Sequence, residues 1–480
     1  MKYLKILLTL MLGFSLAACT SKEAKPDVLR VALFQYPKNM SPVKIENHAE
    51  AWMQSQIYEN LYQIVDGAYV PVLAKALPEF SSDNRSCIIE VADGIKFHDG
   101  SSLDADAVVY SLQHPTSLQN TPWINPIESV SKVDATHVKI TLRFPDGTLL
   151  AKLASPYFAI IPTDSDNEGQ LSEFPIGTGP YKYVSSENGK SISLTRFDNY
   201  HGEVAKITQI EGIVVDDINE ALTKLRDGEI DLVDEVPVSA KAIVDGIKEL
   251  QWFEAKTSSS VYLGIRQQNL LNPELGSMEF RQAISKVILE GFHENNELSL
   301  FGAGVFPKSS QTLVGNVDLD EWLDQDIRLI ASDVGTAGSD VKDALVEAGF
   351  NKVTLEPLNQ QTFLTRSMGN EGYDLMVFNW DELLGDGSLL LDNLFGADAG
   401  NPLRYQNATV ESWILAATRT LDPEIRGERL GKIQQQLLND GVLLPVKSVL
   451  TYVATDKQLG GIQVLPNRTL PLARIARIEE

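Results

Sequence analysis

The stretch FNWDELLGDG, residues 378–387, sets Trp380 beside Asp381, Glu382 and Asp386 in a segment with two glycines. Three chemistries use such residues. A calcium loop needs oxygen ligands at alternate positions ahead of its glycine, and this stretch lacks them. A general acid–base pair needs both carboxyls on one face, but neighbours on a strand point to opposite faces, so Asp381 and Glu382 make a poor pair. The third is the floor of a binding pocket, where an aromatic face and adjoining carboxylates receive a solute.

Other catalytic patterns are missing. Of the histidines His48, His98, His114, His137, His201 and His293, none lies at zinc-ligand spacing, and HENNE at His293 lacks the second histidine of a zinc-protease helix. There is no G-x-S-x-G elbow. GTG at Gly177 and GAG at Gly302 lack the third glycine of a dinucleotide site, and no phosphate-binding loop occurs. The sequence therefore points away from an enzyme and implies neither cofactor nor resident metal. A surface hydrolase using the acids near Trp380 is the remote alternative.

The chain has two cysteines, Cys19 and Cys87. Lys2 and Lys5 precede an apolar run at 6–18, too short for a membrane span and shaped like a secretory leader. LAAC at 16–19 resembles a bacterial lipobox, which implies lipidation of Cys19 and a mature chain held on a membrane surface outside the cytoplasm. Each buried acyl CH₂ contributes about 0.8 kcal/mol, and stable anchoring takes more than one chain. Cys87, in RSCIIEV, then has no disulfide partner and reads as a small buried hydrophobe.

The elements that must position Trp380 follow from periodicity and caps. With 480 residues, 43% hydrophobic and 22% charged, the chain has an ordinary globular composition and the length of about three domains. Net charge is −24, and −26 once Lys2 and Lys5 are removed; with no basic patch, nucleic-acid binding is excluded. Alternation predicts strands at 28–34 and in HVKITLRF, and helical spacing of Met53, Ile57, Leu61 and Ile64 predicts a helix over 51–65. RSCIIEVADGIKFHDGSSL reads as a hairpin-like strand pair, followed by the helix DADAVVYSLQ capped by Ser102 or Asp104. A clear hairpin turns at Asn188-Gly189. INEALTKLRDGEIDLV reads as a helix ended near Gly228 and then a strand. A helix at MEFRQAISKVI, strands at DIRLIASD, VTLEPL and YDLMVFNW, and a helix closed by Gly349 come next. The helix DPEIRGERLGKIQQQLLND has Asp422 as cap, Pro423 in its first turn, and Ile425, Ile433 and Leu437 on one face. GVLLPVKSVLTYVATDKQ returns as strand. The mixture implies an α/β protein with helices covering sheets.

Seven stretches in order resemble the family 5 solute-binding proteins, receptors of ATP-driven importers for oligopeptides, dipeptides and nickel complexes. They are GIKFHDGSSLDADAVVYSL (94–112), PIGTGPYKY (175–183), LRDGEIDLV (225–233), YLGI with FRQAIS, YDLMVFNW, RYQN (404–407), and the segment from DPEIRGER to LLPV. GTGPY is the most specific. The resemblance implies a two-lobed periplasmic-binding-protein type II fold with an extra inserted domain. It places a leader at 1–18, a tether at 19–27, domain I at 28–50, 170–256 and 446–480, domain II at 51–169, and domain III at 257–445. The hinge would lie in crossings near 255–261 and 445–452. It implies a monomeric, membrane-anchored receptor that closes around a peptide or other small solute and docks on a transporter permease. The alternative is the same scaffold on a metal chelate or other non-peptide solute, or in a sensing or chaperone role.

In peptide-binding relatives an aspartate three residues beyond the tryptophan matching Trp380 takes the peptide's ammonium. Here that position is Leu383. Removing one partner of a buried ion pair costs about 3–5 kcal/mol, so Asp381, Glu382 or Asp386 replaces it or the cargo has no such amine. A second departure is Ala107, where the family helix carries an aspartate. The resemblance makes Asn379, Trp380, Asp381, Glu382, Leu383 and Asp386 the pocket strip. Arg404 could pair a cargo carboxylate or a surface acid. Arg266, past the first crossing, faces the cleft or solvent. Tyr36, at the end of the first strand, is a possible cleft wall. Gly177, Gly179 and Pro180 shape a turn.

Overall fold

A computed structural model describes residues 27–478 apart from 43, 66, 114–125, 167–168, 269, 271, 293–296, 299–308, 311–316, 333–334, 370–371, 383–386 and 397–399. The leader, Cys19, His114, His293, Leu383 and Asp386 lie outside the described residues.

Ten strands form the main sheet: β1 (Val28–Leu33), β2 (Tyr181–Glu187), β3 (Ser191–Arg196), β4 (Gln209–Val214), β5 (Leu232–Val233), β6 (Leu250–Ile265), β7 (Ile327–Ser332), β8 (Val353–Leu358), β9 (Leu375–Asp381) and β10 (Leu443–Asp456). Their order is β8-β7-β9-β6-β10-β5-β1-β4-β3-β2. β6 and β10 are long because they serve both halves. At one end they join β5 and β1 over cores built on Leu29, Val31 and Leu232 and on Val233 and Leu250. At the other end β6 pairs β9, over a core of Leu263, Leu329 and Leu375. The result is a two-lobed mixed α/β molecule.

The antiparallel pairing of β6 with β10 breaks between Lys256 and Ser260 and again between Val261 and Tyr262. A bulge bends a strand and re-aims its side chains; here it lies where the two lobes meet. Pro445, opposite Tyr262, has no N–H to give to the ladder.

A separate four-stranded sheet (Glu79–Phe80, Ser86–Glu90, His137–Leu142, Ile127–Lys132) has its own core of Ile89, Phe97, Val138 and Ile140. Cys87 is buried there, and burial pushes its thiol up to about 12.

Most predicted elements are present; three differ. Helix α1 (His48–Ile57) stops eight residues early, because the chain turns extended at Tyr58 and then pairs Tyr62–Val65 with Ala68–Pro71. Leu61 is buried but Ile64 is exposed, so their shared spacing was not one helical face. The hairpin expected at 85–103 does not form: Ser86–Glu90 pairs instead with His137–Leu142, and only a single bridge, Lys96 to Ser102, follows. In the helix Pro423–Asn439, Ile433 and Leu437 are buried while Ile425 is exposed, since Ile425 lies in the first turn beyond the core's edge. Asp104, not Ser102, caps Ala105–Gln113, accepting the Ala107 N–H at 3.0 Å.

Candidate functional site

β1, β5 and β9 end close together. β1 runs parallel to β4 and β5, and β9 parallel to β7. In open α/β sheets ligands gather beyond the carboxyl ends of parallel strands. Here those ends deliver Asp234 and Glu235 after β5, and Asp381 as the last residue of β9.

Asp381 is 57% exposed in its side chain. Its Oδ1 accepts from Ser259 Oγ, in the bulge of β6, and from Arg468 Nη2 at 2.8 Å. Arg468 Nη2 also donates to Ser259 Oγ at 2.7 Å, and Nη1 lies 4.0 Å from Glu235 Oε1. Arg468 and Glu235 both have left-handed backbones, at φ 66° and 51°. For residues with a Cβ such backbone conformations are strained, and they cluster at binding sites.

Next to this group, His48 Nε2 meets Asp234 Oδ2 at 2.7 Å, and the His48 ring stacks on Trp52 at 6.2 Å. Burial alone would lower the His48 pKa; the bonded Asp234 carboxylate and nearby Glu235 outweigh it and raise the value. A cavity of about 190 Å³ opens here, walled by Leu33, Phe34, Gln35, His48, Trp52 and Glu235. Tyr36 is half-buried immediately beyond that wall.

Glu382 has a different fate. It is 5% exposed, accepts the Trp380 Nε1–H at 3.2 Å, and its N–H reaches Ser258 O at 3.3 Å. Trp380 is half-buried and, like Tyr69, packs against the pair Ala151 and Leu389 at the seam between the lobes. Asn379 is half-buried and pairs with Val261.

Arg266 and Arg404 are not in this group. Arg266 follows the far end of β6, opposite Leu375, and six residue steps along β9 separate that end from Asp381. At 3.3–3.4 Å per residue this is roughly 20 Å. Arg266 faces neither cleft nor solvent: it is fully buried, 4.5 Å from the Tyr373 ring centroid, and donates to Gln268 O and Gly369 O. Arg404 donates to Met368 O and Gly369 O at 3.0 and 3.2 Å. Both arginines satisfy carbonyls of one loop.

The motifs 94–112 and 175–183 meet each other. His98 Nε2 lies 2.9 Å from Gly179 O, and His98 N–H donates to Gly177 O. Gly179 N–H donates to Ile57 O at 2.8 Å, where α1 ends. A Cβ on Gly177 would stand 2.1 Å from that same oxygen. Burial holds the His98 pKa down to about 4. This joint shapes the chain and presents nothing to the cleft. A larger cavity, about 620 Å³, lies near it between residues such as Gln54, Tyr58, Tyr200 and Thr469. Among the described residues none from the second lobe lines it.

His48, Asp234, Glu235, Ser259 and Arg468 were not singled out from the sequence. The acids after IDLV sit at a strand's carboxyl end, a usable signal; Arg468, in LPNRTL, gives none. Among the described residues no group of three His, Cys, Asp or Glu could hold a metal ion, and no helix is long and apolar enough to cross a membrane.

Comparison with known proteins fits this geometry. The profile of the bacterial extracellular solute-binding proteins, family 5 (middle region), matches residues 68–288. A glutathione-binding protein GsiB from Salmonella paratyphi A is 23% identical over 96% of both chains. Residues 68–288 thus carry the profile of family 5 of the extracellular solute-binding proteins, and the chain resembles its members along its length. The nickel-binding protein NikA of Staphylococcus aureus is 24% identical over 57% of this chain, and the match spans about half (53%) of that protein. The solved structure of HbpA2 from Haemophilus parasuis superposes with a TM-score of 0.80 at 19% identity, covering 94% of this chain and 99% of that one. The relatives' names describe binding proteins rather than enzymes.

Proposed function

We propose that this chain is the lipid-anchored receptor of an ABC importer, capturing a peptide or peptide-like solute between its lobes by hinge closure. The observation that carries this reading is the convergence of strand ends from both lobes on Asp381, Ser259, Arg468 and Glu235. A solute bound there touches both lobes, so it favours the closed state by its differential contacts. Asp381 is the exposed acid among the described residues of the strip and takes the cargo ammonium in place of the aspartate absent at Leu383. Trp380 supplies the wall. Cys19 carries the acyl chains, and residues 19–27 tether the receptor to the membrane. The chain works as a monomer, with domains divided as the resemblance implies.

Native mass spectrometry on protein made in its own host without Cys19 tests this. A spread of co-purifying masses that sequence as short peptides supports an oligopeptide receptor. One defined non-peptide mass supports the second reading, a metal chelate or other small solute, which Leu383 favours. An empty cleft that no peptide pool stabilises would sink both.

A further inference from the structure

Residues 144–148 project from the four-stranded unit, between its strand His137–Leu142 and the helix Leu149–Leu153. Their conformation is fixed internally. Asp146 Oδ1 accepts from Thr148 N–H and Oγ at 2.9 and 2.7 Å, and Asp146 Oδ2 pairs with Lys152 Nζ at 2.7 Å. The two side chains of that pair are 0% and 6% exposed. A buried pair is costly to separate, so the loop is a rigid projection.

The projection enters a socket on the second lobe. Gly147 N–H donates to Thr418 O at 2.7 Å, and Gly147 O accepts from Arg426 Nη1. Arg426 Nη2 donates to Ser388 Oγ at 2.7 Å. The Arg419 guanidinium lies 5.2 Å from the Phe144 ring centroid. The fit leaves no room for a side chain: a Cβ on Gly147 would stand 2.0 Å from Thr420 O. Arg426 is almost fully buried, and its field includes Asp146 and Tyr69 from one side and Glu382 from the other.

We propose that Gly147 and Arg426 form a protein-to-protein clasp that favours the closed arrangement of the lobes before cargo binds, making Arg426 a positioning residue for cargo capture. Its contacts are protein to protein, so it biases the open–closed equilibrium before any solute arrives. Apparent affinity scales with the fraction of binding-competent protein. The clasp therefore sets cargo affinity without touching cargo. The inference concerns closure alone and stands whatever the cargo proves to be.

The test is an interlobe distance measured without cargo. Spin labels at Val133→Cys and Val346→Cys use exposed positions on the four-stranded unit and the second lobe. Pulsed dipolar spectroscopy on the cargo-free parent, the same chain with Gly147→Ala, with Arg426→Met and with Arg426→Lys gives the populations. The expected result is a measurable short-distance population in the cargo-free parent beside the open one. Gly147→Ala and Arg426→Met shift the closed-to-open ratio roughly tenfold or more, as loss of a hydrogen bond to a charged donor predicts. Arg426→Lys restores part of the closed population. Arg419→Ala, which removes only the stacked guanidinium, gives a smaller shift in the same direction and guards against misfolding of the others. A cargo-free parent with no short-distance population, or variants that keep the parent's distance distribution while folded, would overturn the proposal.

Discussion

The joint around His98 and the cleft edge around Arg468 are built in opposite ways. At the joint every key contact runs to backbone: His98 to Gly177 and Gly179, and Gly179 to Ile57. The cleft edge is made of charged side chains: Asp381, Glu235, Asp234, Arg468 and His48. Glycine lets the joint close to contact distance. At the edge, Glu235 and Arg468 accept left-handed backbones that glycine would adopt freely. The motifs that carry the family resemblance most strongly are scaffold. Residues suited to choosing a solute lie where those motifs stop. The two histidines mark the same contrast, one held neutral by burial, the other favoured as a cation by Asp234.

The comparison can be broken first at the joint. Gly177→Ala places a methyl 2.1 Å from a backbone oxygen, and overpacking of rigid surroundings costs about 3 kcal/mol. Denaturant unfolding should show that loss, with solute affinity of the folded fraction unchanged. A weakened affinity at unchanged stability would place Gly177 in the site.

Acid should act on the joint next. His98 has a folded pKa of about 4, below its unfolded value near 6.5. Its stabilising contribution is therefore present above pH 6.5 and is lost as pH falls toward 4, by on the order of 3 kcal/mol at most. His48 has the opposite sign: its contribution is full below 6.5 and fades as pH rises through its raised value. Stability–pH profiles of His98→Asn and His48→Gln should lose these opposed slopes.

At the cleft edge, Trp380→Ala should weaken binding of the solute found by mass spectrometry by about 2 kcal/mol, roughly thirtyfold, as for a central aromatic anchor. Calorimetric titration reads this directly. Asp381→Asn should reduce affinity about tenfold for a cationic solute, with little change in melting temperature. Glu382→Gln should do the reverse, lowering stability more than it alters solute choice. Equal effects of both on affinity would erase the distinction drawn between them. The smallest effect belongs to Arg468→Gln: partly exposed ion pairs are worth about 0–1 kcal/mol, so thermal melts should barely move.

Much of the fold was legible because local signals agree with tertiary structure. The turn at Asn188-Gly189, the Asp422 cap and the long alternating strands each occur where the chain's own pattern places them. The helix over 51–65 failed after Tyr58 because pairing of Tyr62–Val65 with Ala68–Pro71 overrode the apolar spacing. The site was half legible. The strip at Trp380 announces itself by composition; Asp381, the last residue of its strand, is exposed and Glu382, just beyond it, is buried, so the two part as the alternation expected.

The sequence by itself determined most of the strands and helices, the family resemblance and the existence of an acidic strip after Trp380. All of these rest on short-range periodicity or on motifs a few residues long. Tertiary structure alone decided which acid faces solvent and which is buried, that Arg468 pairs with Asp381 across 87 residues, and that Arg426 reaches Gly147 across 279. Such pairings depend on where lobes and sheet ends come to rest. No local pattern encodes that distance, because an arginine in a loop reads the same whether it meets water or a carboxylate.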